Sequence, residues 1–508
     1  MKVVVIGAGP NGLVCAAHLA AAGVQVTVLE QADWGYGGLS SADGPLPGFR
    51  HDICAAFFPL TRASPAFRSL GLEEIEWIDP PTVMAHPFRD GSALALERDV
   101  GATAAGLGAA GPRYERFMRR LVQDHRPLMD AALLPFPPGR EAVQAAAGLR
   151  ADLPRLAWRA LLPAGAMGRR WLGDDRSAAW LAGSTAHSDL DPTSPGGGAF
   201  ALVLNLLGHA VGWPFPRGGS EAIGDALAAR IRASGGEVRH GATVEEILVS
   251  GGRASRARRN KRGQSTFVTG VRVAGGEPIE ADHVVATISA KPFLRILPPD
   301  ALPRGIERRL RRWRYDAGTF KVDFALERTV PWTAEACRRA GVVHLGDRLG
   351  DFTRSFRAAR AGEFPERPAL VIGQHSLFDP TRAPDGQHML YCYARSPLQL
   401  RIPGEHAADI VEERIEEFAP GFRSSVLARQ VRSPDLVEAH DPSMVGGDLG
   451  GGSYQLYQQA FLRPHPRMWR TRTPVRGLLF ASASVHPGGG VHGTQGLAAA
   501  QAILGEAR

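Results

Sequence analysis

The stretch MKVVVIGAGPNGLVCAAHLAAAGVQVTVLE, residues 1–30, reads as a complete strand, helix and strand. Val3, Val4, Val5 and Ile6 form a continuous apolar run, the pattern of a parallel strand covered on both faces. GAGPNG follows, with Gly7, Gly9 and Gly12 in GxGxxG spacing and Pro10 and Asn11 inside the loop, and then LVCAAHLAAAG, an apolar helix stopped by Gly23. VQVTVLE supplies a second strand that closes on Glu30. Gly7 permits the tight turn, Gly9 lets backbone approach a pyrophosphate, and Gly12 lets helix and strand pack closely. The helix N-terminus offers N–H groups and a positive dipole to phosphates, and Glu30 can accept two hydrogen bonds from an adenosine ribose. A GxGxxG alone is a weak signal. Here strand, helix, second strand and terminal acid stand in register, so the stretch predicts a bound dinucleotide.

At 508 residues the chain exceeds one compact core, so two or three domains are expected. Hydrophobic residues make up 44% and charged residues 22%, an ordinary globular composition, so the 60 glycines and 38 prolines read as turns and ordered loops rather than disorder. Cys15, Cys54, Cys337 and Cys392 lie far apart, which argues against disulfides and zinc and suits a reducing, cytoplasmic setting. No metal site is expected. No secretory pattern stands at residues 1–30, and no run of 18 uncharged apolar residues predicts a membrane span. The net charge of +8 is spread along an arginine-rich chain, which weighs against nucleic acid as a partner.

Just beyond Glu30, QADWGYGGLSSAD brings Gly37 and Gly38, a second close backbone approach that favours FAD over NAD. With these residues, the central WPFPRGGSEAIGDALAARIRASGGEVRHGATVEEI, the segment WRYDAGTFKVDFAL and the late HPGGGVHGTQG, the sequence resembles the phytoene desaturase-like branch of FAD-dependent oxidoreductases. That branch is a subset of the glutathione reductase-type flavoproteins and is also similar to amine oxidases. The resemblance runs over almost the whole chain. It implies an α/β fold: a Rossmann-type (GR2-like) FAD-binding domain, discontinuous over 1–60, 211–298 and 471–508. An inserted α+β substrate domain with a helical cap would occupy 61–210 and 299–470. It also implies that Val244 contacts the adenine half of FAD through its backbone, and that HVVATIS, residues 283–289, returns the chain to the nucleotide-binding sheet.

The glycines of ASASVHPGGGVHGTQGLAAAQAIL, residues 481–504, read as the other jaw of the same FAD site. Gly489, Gly490, Gly493, Thr494 and Gly496 are expected to approach the ribityl chain and the flavin ring. Ser482 stands where this branch commonly has glycine, so the cofactor would be held by backbone N–H groups and the Ser482 hydroxyl. His486, beside these glycines, is the one weak candidate for a catalytic side chain, and no other catalytic residue is legible. No covalent flavin bond is expected at Cys54.

Three further stretches carry expectations. LPRLAWRALLPAGAMGRRWL, residues 153–172, is an amphipathic cap over a substrate cavity or an interfacial helix making peripheral membrane contact. The basic run RASRARRNKR, residues 253–262, reads as a solvated hairpin tip. KVDFAL, ALVIGQHSLF and MLYCYA look like strands of the substrate domain; one of Lys321 and Asp323 is expected to face the cavity, and Tyr391 and Tyr393 share a face.

Hydride transfer to flavin needs mainly a positioned C–H and a water-poor pocket. The sequence therefore points to an FAD-dependent dehydrogenase or desaturase acting on an apolar polyene, isoprenoid or lipid-like molecule. Amine oxidation, isomerisation or saturation of carbon–carbon double bonds, and a non-catalytic FAD-binding interaction protein are the alternatives. Substrate identity, electron acceptor and oligomeric state are not legible.

Overall fold

The computed structural model of the chain describes residues 1–135, 139–149, 152–250, 266–315 and 317–506, so the basic run 253–262 lies outside the described residues. Lys2–Ile6 is the centre of a five-stranded parallel sheet whose order is Leu478–Phe480, His283–Ala286, Lys2–Ile6, Gln25–Leu29 and Glu237–Arg239. Val4 is in register with Thr27 on one side and Val284 on the other, and Val285 with Leu479. The continuous apolar run is explained by two covers. Val3 and Val5 pack with Leu13, Val14, Leu227 and Ile503 of three helices, whereas Val4 and Ile6 pack with Val244, Ile247 and Val271 of a three-stranded antiparallel sheet.

The first of those helices, Pro10–Ala21, starts on a proline, whose missing N–H costs nothing there, and turns out at Gly23 with φ +78°. A Cβ on Gly12 would stand 2.0 Å from the carbonyl oxygen of Gly7, so only glycine lets helix and strand meet this closely. Helices Glu221–Ala233 and Thr494–Glu506 flank it.

The second sheet has seven strands, in the order Val426–Arg432, Gly318–Leu326, His388–Ser396, Leu370–Gly373, Ala340–Leu345, Thr82–Pro87 and Ala93–Glu97. All pairs are antiparallel except Ala340–Leu345 with Thr82–Pro87. Gly318–Leu326 and His388–Ser396 pair along their full nine residues. Period-2 alternation sorts the second of these: Leu390, Cys392 and Ala394 pack beneath helix Gly404–Glu416, while Tyr391 and Tyr393 turn to the opposite face. The strand in ALVIGQHSLF is shorter than expected, because after Gly373 the chain turns into a 3-10 turn and the His375 ring hydrogen-bonds the Ala56 carbonyl at 3.0 Å.

Residues 153–172 form two helices, divided at Pro163. Leu153–Leu161 has no buried residue, with Trp158 59% and Leu161 60% exposed, whereas Ala164–Leu172 buries Met167 and Trp171. No helix among the described residues is long and apolar enough to cross a membrane.

Candidate active site

One cavity of about 550 Å³, within the usual size of ligand pockets, runs from the GxGxxG loop to the face of the seven-stranded sheet. Its nucleotide end is lined by Gly7, Gly9, Pro10, Asn11, Glu30 and Val244, and its middle by Gly37, Gly38, Ser482, Gly489 and Gly490. Beyond them stands an apolar wall that includes Phe57, Leu60, Phe200, Leu204, Trp213 and Val371.

The nucleotide end fits a dinucleotide on several counts. The first-turn N–H groups of helix Pro10–Ala21 have no partner within the helix, and the Asn11 Oδ1 is buried without a hydrogen-bond partner. Glu30 accepts from the N–H of Ala8 at 2.8 Å and of Ala32 at 3.0 Å, one bond on each oxygen, which fixes the carboxylate and leaves each oxygen a further acceptor site. Asp441 lines the cavity where this end meets the middle, beside Gly37, and burial pushes its carboxyl pKa up to about 6.

The late glycine loop is clamped rather than loose. A Cβ on Gly489 would lie 2.7 Å from the Cα of Gly450, so two loops touch backbone to backbone there. Arg463, fully buried, binds them together: its guanidinium donates to the carbonyls of Gly450 (2.7 Å), Ser453 (2.9 Å) and Ala483 (Nε, 3.0 Å). His492 braces the same loop, with Nε2 3.2 Å from the Gly488 carbonyl and Nδ1 2.8 Å from the Thr494 hydroxyl. The Ser482 hydroxyl accepts from the N–H of Ser484 at 3.1 Å.

Three expectations are corrected. Gly493, Thr494 and Gly496 do not line the cavity; a Cβ on Gly496 would stand 2.1 Å from the Asn11 carbonyl oxygen, so this glycine serves the crossing of helices Thr494–Glu506 and Pro10–Ala21. His486 also lies outside the lining, and burial lowers its pKa to about 4. Ala483 and Gly489, three residues to either side, reach the cavity, but His486 does not. Lys321 and Asp323 share one face, as residues two apart in a strand must, and neither lines the cavity.

They pair instead with each other, and Asp323 also meets His51 Nδ1 at 2.9 Å and Arg432 at 2.7 Å. Burial alone would raise the Asp323 carboxyl, but Lys321, His51 and Arg432 hold it well below the usual carboxylate range. Lys321 in turn sits 4.5 Å from the centre of the Tyr391 ring, and the Tyr391 hydroxyl donates to the Cys54 carbonyl at 2.6 Å. Tyr391 is thereby held on the cavity wall from two sides. Cys54 lines the cavity, and burial pushes its thiol pKa up to about 12, so it is not a thiolate at neutral pH.

Asp189, Arg395 and Asp448 are polar residues of the lining that sequence reasoning did not single out, and His187 lines it too. Asp189 accepts from the Ser453 hydroxyl at 2.6 Å and the Tyr454 N–H at 2.8 Å; Asp448 accepts from the N–H of Gly450 at 2.6 Å and of Gly452 at 3.0 Å. Burial, with Asp189 nearby, pushes Asp448 up to about 6. For Arg395 a signal existed, since it continues the alternation of Tyr391 and Tyr393. Among the described residues no group of three or more His, Cys, Asp or Glu could hold a metal ion.

Residues 11–504 match the family model of flavin containing amine oxidoreductases. The chain is 28% identical to pyridine nucleotide-disulfide oxidoreductase domain-containing protein 2 of Rattus norvegicus, over 99% of this chain and 93% of that protein. It is 27% identical to the zeta-carotene-forming phytoene desaturase of Myxococcus xanthus, over 96% and 91%. An oxidoreductase of Methanosarcina mazei has the same fold, with TM-score 0.64 at 18% identity, covering 99% of this chain and 100% of that one.

Proposed function

The chain belongs to the flavin containing amine oxidoreductase family, and from that premise we propose that it removes hydride from an apolar polyene, isoprenoid or lipid-like substrate. It is an FAD-dependent oxidoreductase. The observation that carries the substrate class is the continuity of the cavity, in which the glycine-lined part opens onto the wall of Phe57, Leu60, Phe200, Leu204, Trp213 and Val371. The desaturase relative from Myxococcus xanthus supports the same reading.

In this reading Gly7, Gly9, Pro10, Asn11 and Gly12 shape the pyrophosphate cradle, Glu30 accepts from the ribose, and Val244 lies beside the adenine half. Gly37, Gly38, Ser482, Gly489 and Gly490 give the ribityl chain and ring their close approach. Gly493, Thr494 and Gly496 act one step back, by seating the helix whose N-terminus favours negative charge near the late loop. The division into a nucleotide domain, 1–60, 211–298 and 471–508, and a substrate domain, 61–210 and 299–470, belongs to the same proposal and is supported by which strands make up each sheet.

FAD, when bound, supplies the hydride acceptor. The apolar wall orients a substrate C–H and limits water at the hydride step, and the proton that must also leave to complete the double bond passes to solvent. One observation favours amine oxidation as a second reading. Tyr391 and Tyr393 both line the cavity, with ring centroids 5.9 Å apart and planes at 84°, faces to which a cation is attracted.

The test is anaerobic. The FAD-loaded protein is mixed with carotenoid, retinoid, fatty and amine compounds while flavin absorbance is followed, and the products are then weighed. Bleaching by a polyene or lipid, with a product two hydrogens lighter, is the expected result. Bleaching by amines alone transfers the reading to amine oxidation, an unchanged mass indicates isomerisation, and a flavin that no donor reduces refutes both oxidative readings.

A further inference from the structure

We propose that Arg395 docks a carboxylate at one end of the substrate, so that the enzyme acts on apolar acids in preference to pure hydrocarbons. This rests on the apolar-substrate reading above and narrows it. Four arginines among the described residues are buried: Arg382, Arg395, Arg414 and Arg463. Arg382 is paired with Asp52 and Asp379, each at 3.1 Å, and Arg414 with Asp351 (3.2 Å) and Glu417 (2.6 Å). Arg463 has no carboxylate, but backbone carbonyls surround its guanidinium. Arg395 is the exception. Its Nε donates to the Ala186 carbonyl and its Nη1 to the Thr319 hydroxyl, each at 3.1 Å, and Nη2 has no protein acceptor among the described residues. No carboxylate there comes within 4.0 Å of it.

Burying an unpaired cation is costly, and an arginine kept 7% exposed on the wall of a substrate cavity calls for an anion from outside the chain. Asp448 is near enough for Arg395 to favour its charged form but makes no ion pair with it; its hydrogen bonds come from Gly450 and Gly452, and those of Asp189 from Ser453 and Tyr454. The planar guanidinium fork matches a carboxylate.

The neighbourhood is suited to an oxygen-bearing end group. The Tyr393 ring centroid lies 5.6 Å from the Arg395 guanidinium, the Tyr393 hydroxyl is 3.2 Å from His187 Nδ1, and His187 Nε2 is 2.8 Å from His344 Nε2. Burial holds His187 down to about 3 and His344 well below its ordinary value, so this pair is neutral at physiological pH and brings no second charge to this end. Phe200, Leu204 and Trp213 border the same end of the cavity and would hold the apolar body.

The FAD-loaded full chain is titrated anaerobically with retinoate and oleate and with the methyl ester of each, using the flavin difference spectrum for binding and bleaching for reduction. Each acid is expected to bind about tenfold or more tightly than its ester. Arg395→Met should bring acid and ester to within about twofold, and Arg395→Lys, which keeps the charge and loses the fork, should give an intermediate ratio. Equal affinity of acid and ester for the unsubstituted protein overturns the proposal whether or not a variant folds, as does a preference that survives Arg395→Met. If an apolar hydrocarbon bleaches the flavin and the acids show no preference, this inference fails and the broader reading stands. If the acids bind through Arg395 and nothing apolar reduces the flavin, the reverse holds.

Discussion

At its nucleotide end the cavity is walled by backbone, at its substrate end by side chains. Gly7, Gly9, Gly37, Gly38, Gly489 and Gly490 bring backbone to the cavity wall, where a Cβ would meet open space at Gly9 and protein atoms at the others, and their positions follow from turns and helix starts close by in the chain. The substrate end is held by convergence from afar: His51, Lys321, Asp323 and Arg432 form one buried cluster, and Asp52, Asp379 and Arg382 another. The first construction is tolerant of charge and intolerant of volume. The second is the opposite, because a buried ion that loses its partner keeps its desolvation cost.

Four measurements can break or sharpen that contrast. The largest effect is expected from Asp323→Ala, which strands Lys321 and Arg432; thermal unfolding should show a loss of about 3–5 kcal/mol. A neutral result would remove the cluster from the account of the substrate end. Next comes Gly12→Ala or Gly496→Ala, each forcing a Cβ to about 2 Å from a carbonyl oxygen that belongs to backbone and cannot step aside. Roughly 3 kcal/mol of stability and most bound FAD should go with either, read as melting temperature and flavin-to-protein ratio. Wild-type stability in either variant would show that the close approach is slack.

Acid is the third probe. Burial raises the Asp52 carboxyl, but Arg382, His375 and the Ser220 N–H outweigh it and bring the pKa to about 2. A depressed carboxyl stabilises above its unfolded pKa near 4, so on the order of 2 kcal/mol should be lost as pH falls from about 4 to 2. Asp52→Asn should flatten that limb of the pH-stability curve; an unaltered limb would assign acid sensitivity elsewhere. The smallest effect is expected from Glu30→Ala, which removes one ribose acceptor and should weaken FAD about tenfold, near 1.4 kcal/mol, by titration of the apoprotein. Unchanged affinity would refute the ribose role.

The same contrast explains what could be read from the sequence. GAGPNG, Glu30 and the paired Gly37 and Gly38 were legible because a turn, a helix start and a close approach restrict residue type at fixed spacing. The strands around KVDFAL and MLYCYA were legible from apolar runs and alternation. Asp189 and Asp448 were not, since they meet only after 258 intervening residues have folded. At Gly496 the sequence predicts an approach to the flavin, whereas the neighbour is helix Pro10–Ala21, because a missing Cβ does not say whether a ligand or another helix comes close. His486 was chosen for its nearness along the chain to the glycine loop, which carries no information about where a side chain points. Arg395 could have been found by extending the alternation of Tyr391 and Tyr393 two residues further.

The contact between helices Pro10–Ala21 and Thr494–Glu506 has a consequence for synthesis. Leu13, Val14, Cys15, Ala16 and Ala17 are completely buried in the finished protein, partly under a helix made more than 470 residues later. At roughly 5–20 residues per second, the nascent chain presents this apolar helix for at least about 20 s before its last cover emerges. Production of the enzyme should therefore depend on whatever shields that helix at the ribosome, and a slow or chaperone-poor host should yield aggregate held together through helix Pro10–Ala21.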